Sequence, residues 1–416
     1  MEQILIIQLA RFGDLLQTKR LIVSLCAQKK QVHLCLDSSL EALARLIYPN
    51  VILHPVAAHG TGHKDQSRFH SVFLTNRRAF EKLKSIPFEA VFNLNFSGLN
   101  FRLAALFDPD IVHGYSWKNG QEIIGVWPSM GMRWSETRRL GLNLVDFWAG
   151  YLRHKVAPED VNPTAEPRGG GLGVVLAGRE SRRSLPVPVL AAIIQTLVVS
   201  SSYDSIQLLG GSQEYGAAKQ LLKLLPRDLQ QKSFNLAGKT SYSDLVERVA
   251  GLDCLVTPDT GTMHLAAHLG TPVKAFFLSS AWCFETGPYG KGHIVYQATT
   301  NCLPCLESQP CPYETRCLEC FFSSEFKRFM VTEKEAHAPE NMIAFRSDFD
   351  ELGQIYVPFA GQDKESEKRT QFRHFLQQYL TGEGEGASDT DTTLALRLYS
   401  EKDWMMSEGP KKLFGI

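Results

Sequence analysis

The chain has 416 residues, with 44 Lys and Arg against 44 Asp and Glu, 44% hydrophobic residues, 32 Gly, 20 Pro and 9 Cys. That length predicts two domains and a remainder, each able to bury a core, and the apolar share excludes disorder as the main state. A formal net charge of zero gives no chain-wide attraction to nucleic acid or to an anionic membrane, so any anion site must be built locally.

The opening MEQILIIQLAR has an acidic second residue, a short apolar run and no small-residue cleavage pattern, and reads as a first strand instead of a secretory signal. No run approaches the roughly 18 apolar residues of a membrane span; the best stretch, Val187 to Val199, is interrupted by Pro188 and Gln195. Nine cysteines in a long chain without a signal predict reduced thiols and a cytoplasmic location.

In chain order, the first half alternates short β-branched or apolar runs with amphipathic stretches, the pattern of a parallel sheet covered by helices. Strands are expected at Ile4 to Gln8, Val32 to Asp37, Val51 to Val56, Ala90 to Leu94 and Ile111 to Tyr115. Helices are expected near Leu15 to Lys29, Leu40 to Ile47, Asn76 to Ser85 and Leu99 to Phe107. A longer helix is expected from Glu136 to His154, where Leu140, Leu144, Phe147, Trp148 and Tyr151 recur at helical spacing. The segment APEDVNPTAEPRGGG, Ala157 to Gly171, lacks apolar periodicity and reads as the interdomain linker.

The alternation then starts afresh, which implies a second sheet. Strands are expected at Leu172 to Leu176, Ile206 to Leu209, Phe234 to Leu236, Cys254 to Thr257 and Val273 to Leu278. Helices are expected at Val187 to Val199, Tyr215 to Leu225, Tyr242 to Ala250 and Thr262 to Leu269. The resulting division is residues 1–160, 170–330 and a C-terminal extension 331–416. The extension has a helical stretch at Ser366 to Tyr379 and a flexible stretch, TGEGEGASDTDT, from Thr381. Doubly wound lobes bind ligands at the carboxyl ends of their strands, so the site is expected in a cleft between the two lobes.

Four segments sit at such strand ends. Gly13-Asp14 follows the first strand; Asp14, beside the positive end of a helix, suits a proton acceptor, or equally a helix cap. Ala177 to Ser184 places Arg179, Arg182 and Arg183 where they can neutralise a pyrophosphate, a solvated basic loop being the plainer reading. Gly210-Gly211-Ser212-Gln213-Glu214 allows close backbone approach, with Glu214 able to accept from a ribose, or is simply a turn. Asp259-Thr260-Gly261-Thr262-Met263-His264 runs from a buried strand into a helix. It can cradle a phosphate on the N–H groups of Gly261 and Thr262, or be an ordinary capped helix with His264 in the core.

Two Cys-x-x-Cys pairs, Cys302/Cys305 and Cys317/Cys320, with Cys311 between them, have spacing that suits a structural zinc or an iron–sulfur cluster. Trp117, Trp127 and Trp134 could form a sugar platform or pack on the sheet.

From Ile4 to Cys317 the sequence resembles glycosyltransferase family 9, the bacterial heptosyltransferase family. The resemblance is carried by Gly13-Asp14 with Thr18, by Arg183 three residues before Pro186, by Asn235-Leu236-Ala237-Gly238-Lys239-Thr240, and by Asp259 to His264. It implies an α/β fold of the GT-B arrangement, two Rossmann-like doubly wound lobes facing a cleft. It also implies metal-independent, inverting transfer of a heptose from ADP-heptose to a hydroxyl of a lipopolysaccharide core or related, lipid-linked glycan, with no required cofactor.

By the same resemblance Asp14 is the general base on the acceptor, supported by Gly13. Arg183 stands where a lysine commonly meets the diphosphate, Glu214 where an acid binds the ribose, and Asp259, Thr260, Gly261, Thr262 and His264 form the donor turn. Relatives carry a comparable cysteine segment without using metal for transfer. The partners implied are nucleotide sugar and glycan acceptor, without nucleic acid and with at most transient contact at the cytoplasmic face of the inner membrane. The chain departs from the family at Gln8, where arginine is common, at Lys19, where proline is common, and at Asn93, where aspartate is common. Two other readings are a sugar-nucleotide epimerase or hydrolase of the same fold, and a zinc-stabilised nucleotide-binding interaction protein without catalysis.

Overall fold

The computed structural model describes residues 1–58, 66–134, 140–178, 181–201, 203–305, 309–382, 393–396 and 398. His59, His63, Arg179, Glu180 and the stretch after Gly382 that was read as flexible lie outside the described residues. The chain divides into two compact units: Met1–Glu136, Val145–Val156 and His374–Ile416 in the first, Thr137–Leu144 and Ala157–Arg373 in the second.

The first unit holds strands β1 Gln3–Gln8, β2 Gln31–Asp37, β3 Ile52–Val56, β4 Ala90–Asn93, β5 Val112–Lys118 and β6 Gln121–Ile124. They lie in the order β3-β2-β1-β4-β5-β6, parallel except for the β5–β6 hairpin. The central strand reads Ile-Leu-Ile-Ile without alternation because helices cover both faces, and Leu5, Ile6 and Ile7 are fully buried. The connecting helices are α1 Phe12–Gln17, α2 Lys19–Ala27, α3 Glu41–Ile47, α4 Gln66–Lys84, α5 Gly98–Ala104, α6 Val126–Trp134 and α7 Leu144–Ala149. The first expected helix is thus two helices, broken at Thr18, whose hydroxyl donates to Leu15 O at 2.6 Å. Of the long helix expected from Glu136 to His154, residues 136–139 lie outside the described residues, and within 140–154 only α7 is helical. Gly141 and Asn143 are drawn into tertiary contacts instead: a Cβ at Gly141 would meet Glu285 Cγ at 2.4 Å, and Asn143 donates to Gly287 O at 3.2 Å. Trp127 and Trp134 are buried, Trp127 stacking on Phe147, so these two rings pack in the core and are not a sugar platform.

The second unit holds β7 Leu172–Val175, β8 Ile206–Leu209, β9 Ser233–Asn235, β10 Cys254–Pro258, β11 Val273–Phe277, β12 Ile294–Ala298, β13 Met342–Phe349 and β14 Gln354–Ala360. Their order is β14-β13-β12-β11-β10-β7-β8-β9, parallel from β9 to β12 and antiparallel through β13 and β14. Helices α8 Val187–Ser200, α9 Tyr215–Leu224, α10 Arg227–Gln231, α11 Tyr242–Gly251, α12 Gly261–Leu269, α13 Cys283–Thr286, α14 Glu319–Phe322 and α15 Ser324–Thr332 belong to it. The last, α16 Ser366–Thr381, passes from the second unit into the first at His374.

Residues 342–360, read from sequence as part of an extension, complete this sheet as a hairpin beside β12. The glycine run read as linker is likewise fixed within the second unit: Gly169 and Gly171 N–H groups both donate to the Asp253 carboxylate. Gly171 takes φ +87°, and a Cβ there would lie 2.3 Å from Ser205 O, which only glycine avoids. No helix among the described residues is long and apolar enough to cross a membrane.

Candidate active site

Counting only parallel strands, the first sheet has the order 3-2-1-4-5 and the second 3-2-1-4-5-6, so the winding reverses between the first and fourth strands of each unit. That reversal opens a crevice at the strands' carboxyl ends, the place where open α/β sheets bind ligands. In the second unit the two strands are β7 and β10, paired from Leu172↔Cys254 to Val174↔Val256. The loops leaving them carry Arg183 and Asp259, and the structure brings these two residues together. Arg183 Nη1 donates to Asp259 Oδ2 at 3.1 Å, with the Arg183 side chain 15% and the Asp259 side chain 8% exposed.

Asp259 gathers two further groups. The Thr286 hydroxyl donates to Oδ2 at 3.2 Å, and His264 Nε2 lies 3.8 Å from Oδ1. Thr286, at the end of α13, is a partner that sequence reading missed; a threonine closing a four-residue helix gives no sequence signal of such a role. Because Asp259 offsets the Arg183 charge, the pair is close to neutral, and the attraction for an anion must come from neighbouring groups.

Helix α12 supplies it. Thr260 is its N-cap, with extended backbone and its hydroxyl accepting from Met263 N–H at 3.2 Å; Thr257 Oγ1 lies 3.0 Å from the same hydroxyl and fixes its rotamer. The first turn of a helix leaves its N–H groups without intrahelical partners, and the cap takes up only that of Met263. Those of Gly261 and Thr262, both half-exposed, stay at the positive end of the helix dipole. Gly270, at φ +74°, closes the other end. Met263, Leu265, Ala266 and Ala267 are buried, so the helix is anchored along one side while its N-terminus faces the crevice end of β10. The plain reading of a capped helix with a core histidine and the reading of a phosphate cradle therefore describe the same object. The cap orders the turn, and His264 is buried against Asp259.

Glu214 ends the loop after β8, one strand over, as the N-cap residue of α9 and half-buried. A Cβ at Gly210 would come within 2.9 Å of Glu214 Cβ, so the glycine is what lets this side chain lie over the loop. Gly238, at φ +68° in the Asn235 to Thr240 segment, donates its N–H to Gly210 O at 2.9 Å and ties the turns after β8 and β9 together. Arg182 is half-buried in the short turn before α8.

In the first unit, Asp14 is not the N-cap residue but the third residue of α1. Its Oδ2 accepts from Arg11 N–H at 3.0 Å, reaching back across the turn, and the side chain is half-buried. Gly13 precedes it within the same turn. The position of Gln8 is buried: its Oε1 accepts from Ala10 N–H and from Asn95 Nδ2, while Asn95 Oδ1 accepts from Leu9 N–H at 2.6 Å. Asn100 Nδ2 donates to Asn93 Oδ1 at 2.8 Å and Asn93 Nδ2 to the Asn100 main-chain carbonyl at 3.0 Å. Gln8, Asn93, Asn95 and Asn100 thus form an uncharged amide network at the switch point between β1 and β4. Lys19, at the start of α2, is pulled down to about 8 by burial.

Cys302, Cys305 and Cys311 lie close enough to Cys317 for their charges to act on its thiol. Among the described residues no three His, Cys, Asp or Glu side chains are placed to hold a metal ion. Each Cys-x-x-Cys pair is folded into its own turn, with the Cys305 thiol against Cys302 O and the Cys320 thiol against Cys317 O. Burial pushes Cys317 up to about 11 and Cys320 to about 12.

The fold defines an α/β protein of two doubly wound units. Residues 198–315 match the model of glycosyltransferase family 9 (heptosyltransferase), in agreement with the resemblance read from the sequence. Lipooligosaccharide heptosyltransferase 2 of Haemophilus influenzae is 29% identical over 86 residues, 21% of this chain and 25% of that protein. Lipopolysaccharide heptosyltransferase 2 of Escherichia coli K12 is 33% identical over 98 residues, 24% and 28% of the two chains. The chain thus spans about a quarter of the length of the curated relatives it matches. The fold is shared more widely. The solved ADP-heptose lipopolysaccharide heptosyltransferase II of E. coli superposes with TM-score 0.50 at 17% identity, over 70% of this chain and 88% of that one. The family 9 glycosyltransferase of Veillonella parvula superposes with TM-score 0.50 at 15% identity, over 72% and 88%.

Proposed function

We propose that this protein is an inverting, metal-independent glycosyltransferase that moves a heptose from ADP-heptose to a hydroxyl of a lipopolysaccharide core or related glycan. The observation that carries the reading is the constellation at the β7–β10 switch point, where Arg183, Asp259, Thr286 and His264 converge beside the N-terminus of α12. It lies in the second unit, which also contains the family match.

In this reading the diphosphate sits on the N–H groups of Gly261 and Thr262, with Arg182 adding positive charge and Arg183, held in place by Asp259, donating hydrogen bonds to it as the bond to the sugar breaks. Asp259 orients Arg183 and holds His264. Glu214 accepts from the ribose hydroxyls. On the acceptor side Asp14 takes the proton of the attacking hydroxyl, and inversion follows because attack comes from the face opposite the leaving diphosphate. The acceptor is a glycan, lipid-linked in the cell, so the protein works in the cytoplasm with at most peripheral contact at the inner membrane.

The test is direct. Calorimetry with ADP measures the donor site, and mass spectrometry of core oligosaccharide incubated with ADP-heptose reads transfer as the mass of one added heptose. ADP binding without any such addition across heptose-acceptor glycans would refute transfer while preserving the nucleotide site.

A further inference from the structure

A second recess in the second unit, separate from the α12 turn, has the build of a saccharide site. A cavity of about 500 Å³ opens where β11, β12 and β14 end and β13 begins. Behind its polar lining stand the buried Trp282, Phe284, Met342, Ile343 and Phe345, with the Arg369 guanidinium laid over the Phe284 ring. Its rim is amide-rich, with Asn301, Asn341 and Gln362 exposed. A second cavity of about 370 Å³ shares Asn301 and Asn341 with the first and continues to Thr300, Tyr313 and Arg316. The two make one trough whose midpoint is that pair of asparagines.

The chemistry of the lining selects its occupant. Glu340, Asp363 and Glu365 are balanced by Lys364, Arg369 and Arg316, so the trough has no net charge to attract a nucleotide or an anionic headgroup. Its cations are partly committed already. Arg369 is 8% exposed, forks onto both Asp363 oxygens at 3.0 to 3.4 Å and lies 3.5 Å above the Phe284 ring, while Lys368 pairs with Glu365. The Arg369 Nε–H has no partner among the described residues, a buried donor that a ligand hydroxyl or a water would satisfy. Amides that both donate and accept, beside the unpaired Arg369 Nε–H, fit a neutral ligand with many hydroxyls. The combined length fits more than one ring.

We propose that this trough binds an uncharged oligosaccharide, apart from the nucleotide turn. Helix α13 lies between the two places: Phe284 lines the trough and Thr286 donates to Asp259. The proposal does not depend on the transfer reaction, because it concerns glycan binding by the protein alone.

Saturation-transfer NMR on the full chain, with methyl α-mannoside, mannotriose and maltotriose as probes and no nucleotide present, tests it. Transfer to a trisaccharide is expected, with the trisaccharide bound about fivefold or more tighter than the monosaccharide. The double variant Asn301→Ala, Asn341→Gly should weaken it by about tenfold while ADP binding and melting temperature stay unchanged. Glycine is chosen at 341 because Asn341 sits at φ +58°, where alanine would be strained. Absence of transfer to any of the three probes, displacement of the sugar by ADP, or unchanged binding in the double variant would each overturn the proposal. Loss of ADP binding in the parent protein would instead count against the nucleotide site alone.

Discussion

Arg183 and Asp259 leave two neighbouring parallel strands and meet in a half-buried ion pair of 3.1 Å at the point where the second sheet reverses its winding. The pair is not a phosphate site by itself, since its charges cancel; it holds the shape of the crevice beside α12. Replacing Arg183 with alanine leaves Asp259 buried without its cation, a change that costs about 3 kcal/mol or more where a pair is fully buried and somewhat less here. We expect Arg183→Ala to lower the melting temperature and to weaken ADP binding together, with Arg183→Lys restoring part of the affinity. Calorimetry and thermal melting check this; full ADP affinity in Arg183→Ala would remove the residue from the site.

Thr260 should behave as a cap with a functional consequence. Its hydroxyl takes the Met263 N–H, so Thr260→Ala is expected to cost about 1 kcal/mol of stability, and Thr260→Ser much less. Since the same turn presents the Gly261 and Thr262 N–H groups, ADP affinity should fall with the cap and return with serine. Titration of the two variants gives the comparison.

At the other end of α12, Gly270→Ala tests the left-handed cap. A Cβ there meets Pro163 Cβ at 2.9 Å as well as the unfavourable φ of +74°, so a loss of about 1 kcal/mol or more is expected in chemical denaturation.

Acid sensitivity should come from buried histidines. Burial holds His293 at about 4, and both of its ring nitrogens lack partners among the described residues. His54, sharing a 2.8 Å hydrogen bond with His33, is held at about 4 by burial, with the His33 and Lys82 charges adding to it. For both, the folded value lies below the unfolded value of about 6.5, so the unfolded chain binds the proton first. The stability they contribute is complete above pH 6.5 and is lost as the pH falls from there to about 4. His293→Phe should therefore flatten the decline of melting temperature between pH 6.5 and 4; an unchanged slope would exclude His293 as a source.

How much of this was legible in the sequence follows from burial. The inner strands of both sheets are covered on both faces and read as unbroken apolar runs, which is why β1, β2, β10 and β11 stood out. Strand β12, His-Ile-Val-Tyr-Gln-Ala in context, and the hairpin β13–β14, with Arg346 and Asp348, mix polar residues into their strands, and they escaped notice. The helix expected over 136–154 had the right periodicity, but Asn143 finds better hydrogen bonds at Gly287 than in a helix, an outcome fixed by residues more than a hundred positions away. Thr286, 27 residues on from Asp259 and at the end of a four-residue helix, carries no local signal of its contact with that carboxylate. Asp259, Thr260 and Arg183 were visible because strand-end loops are local.

The decisive measurement is heptose transfer by Asp14→Asn, with ADP affinity measured on the same sample. If Asp14 is the base, transfer from ADP-heptose to a core acceptor falls by about 10²-fold or more while ADP binds as before, because the asparagine keeps the side chain's size and loses its proton affinity. Transfer at the parental rate by that variant would contradict the proposed mechanism at its centre.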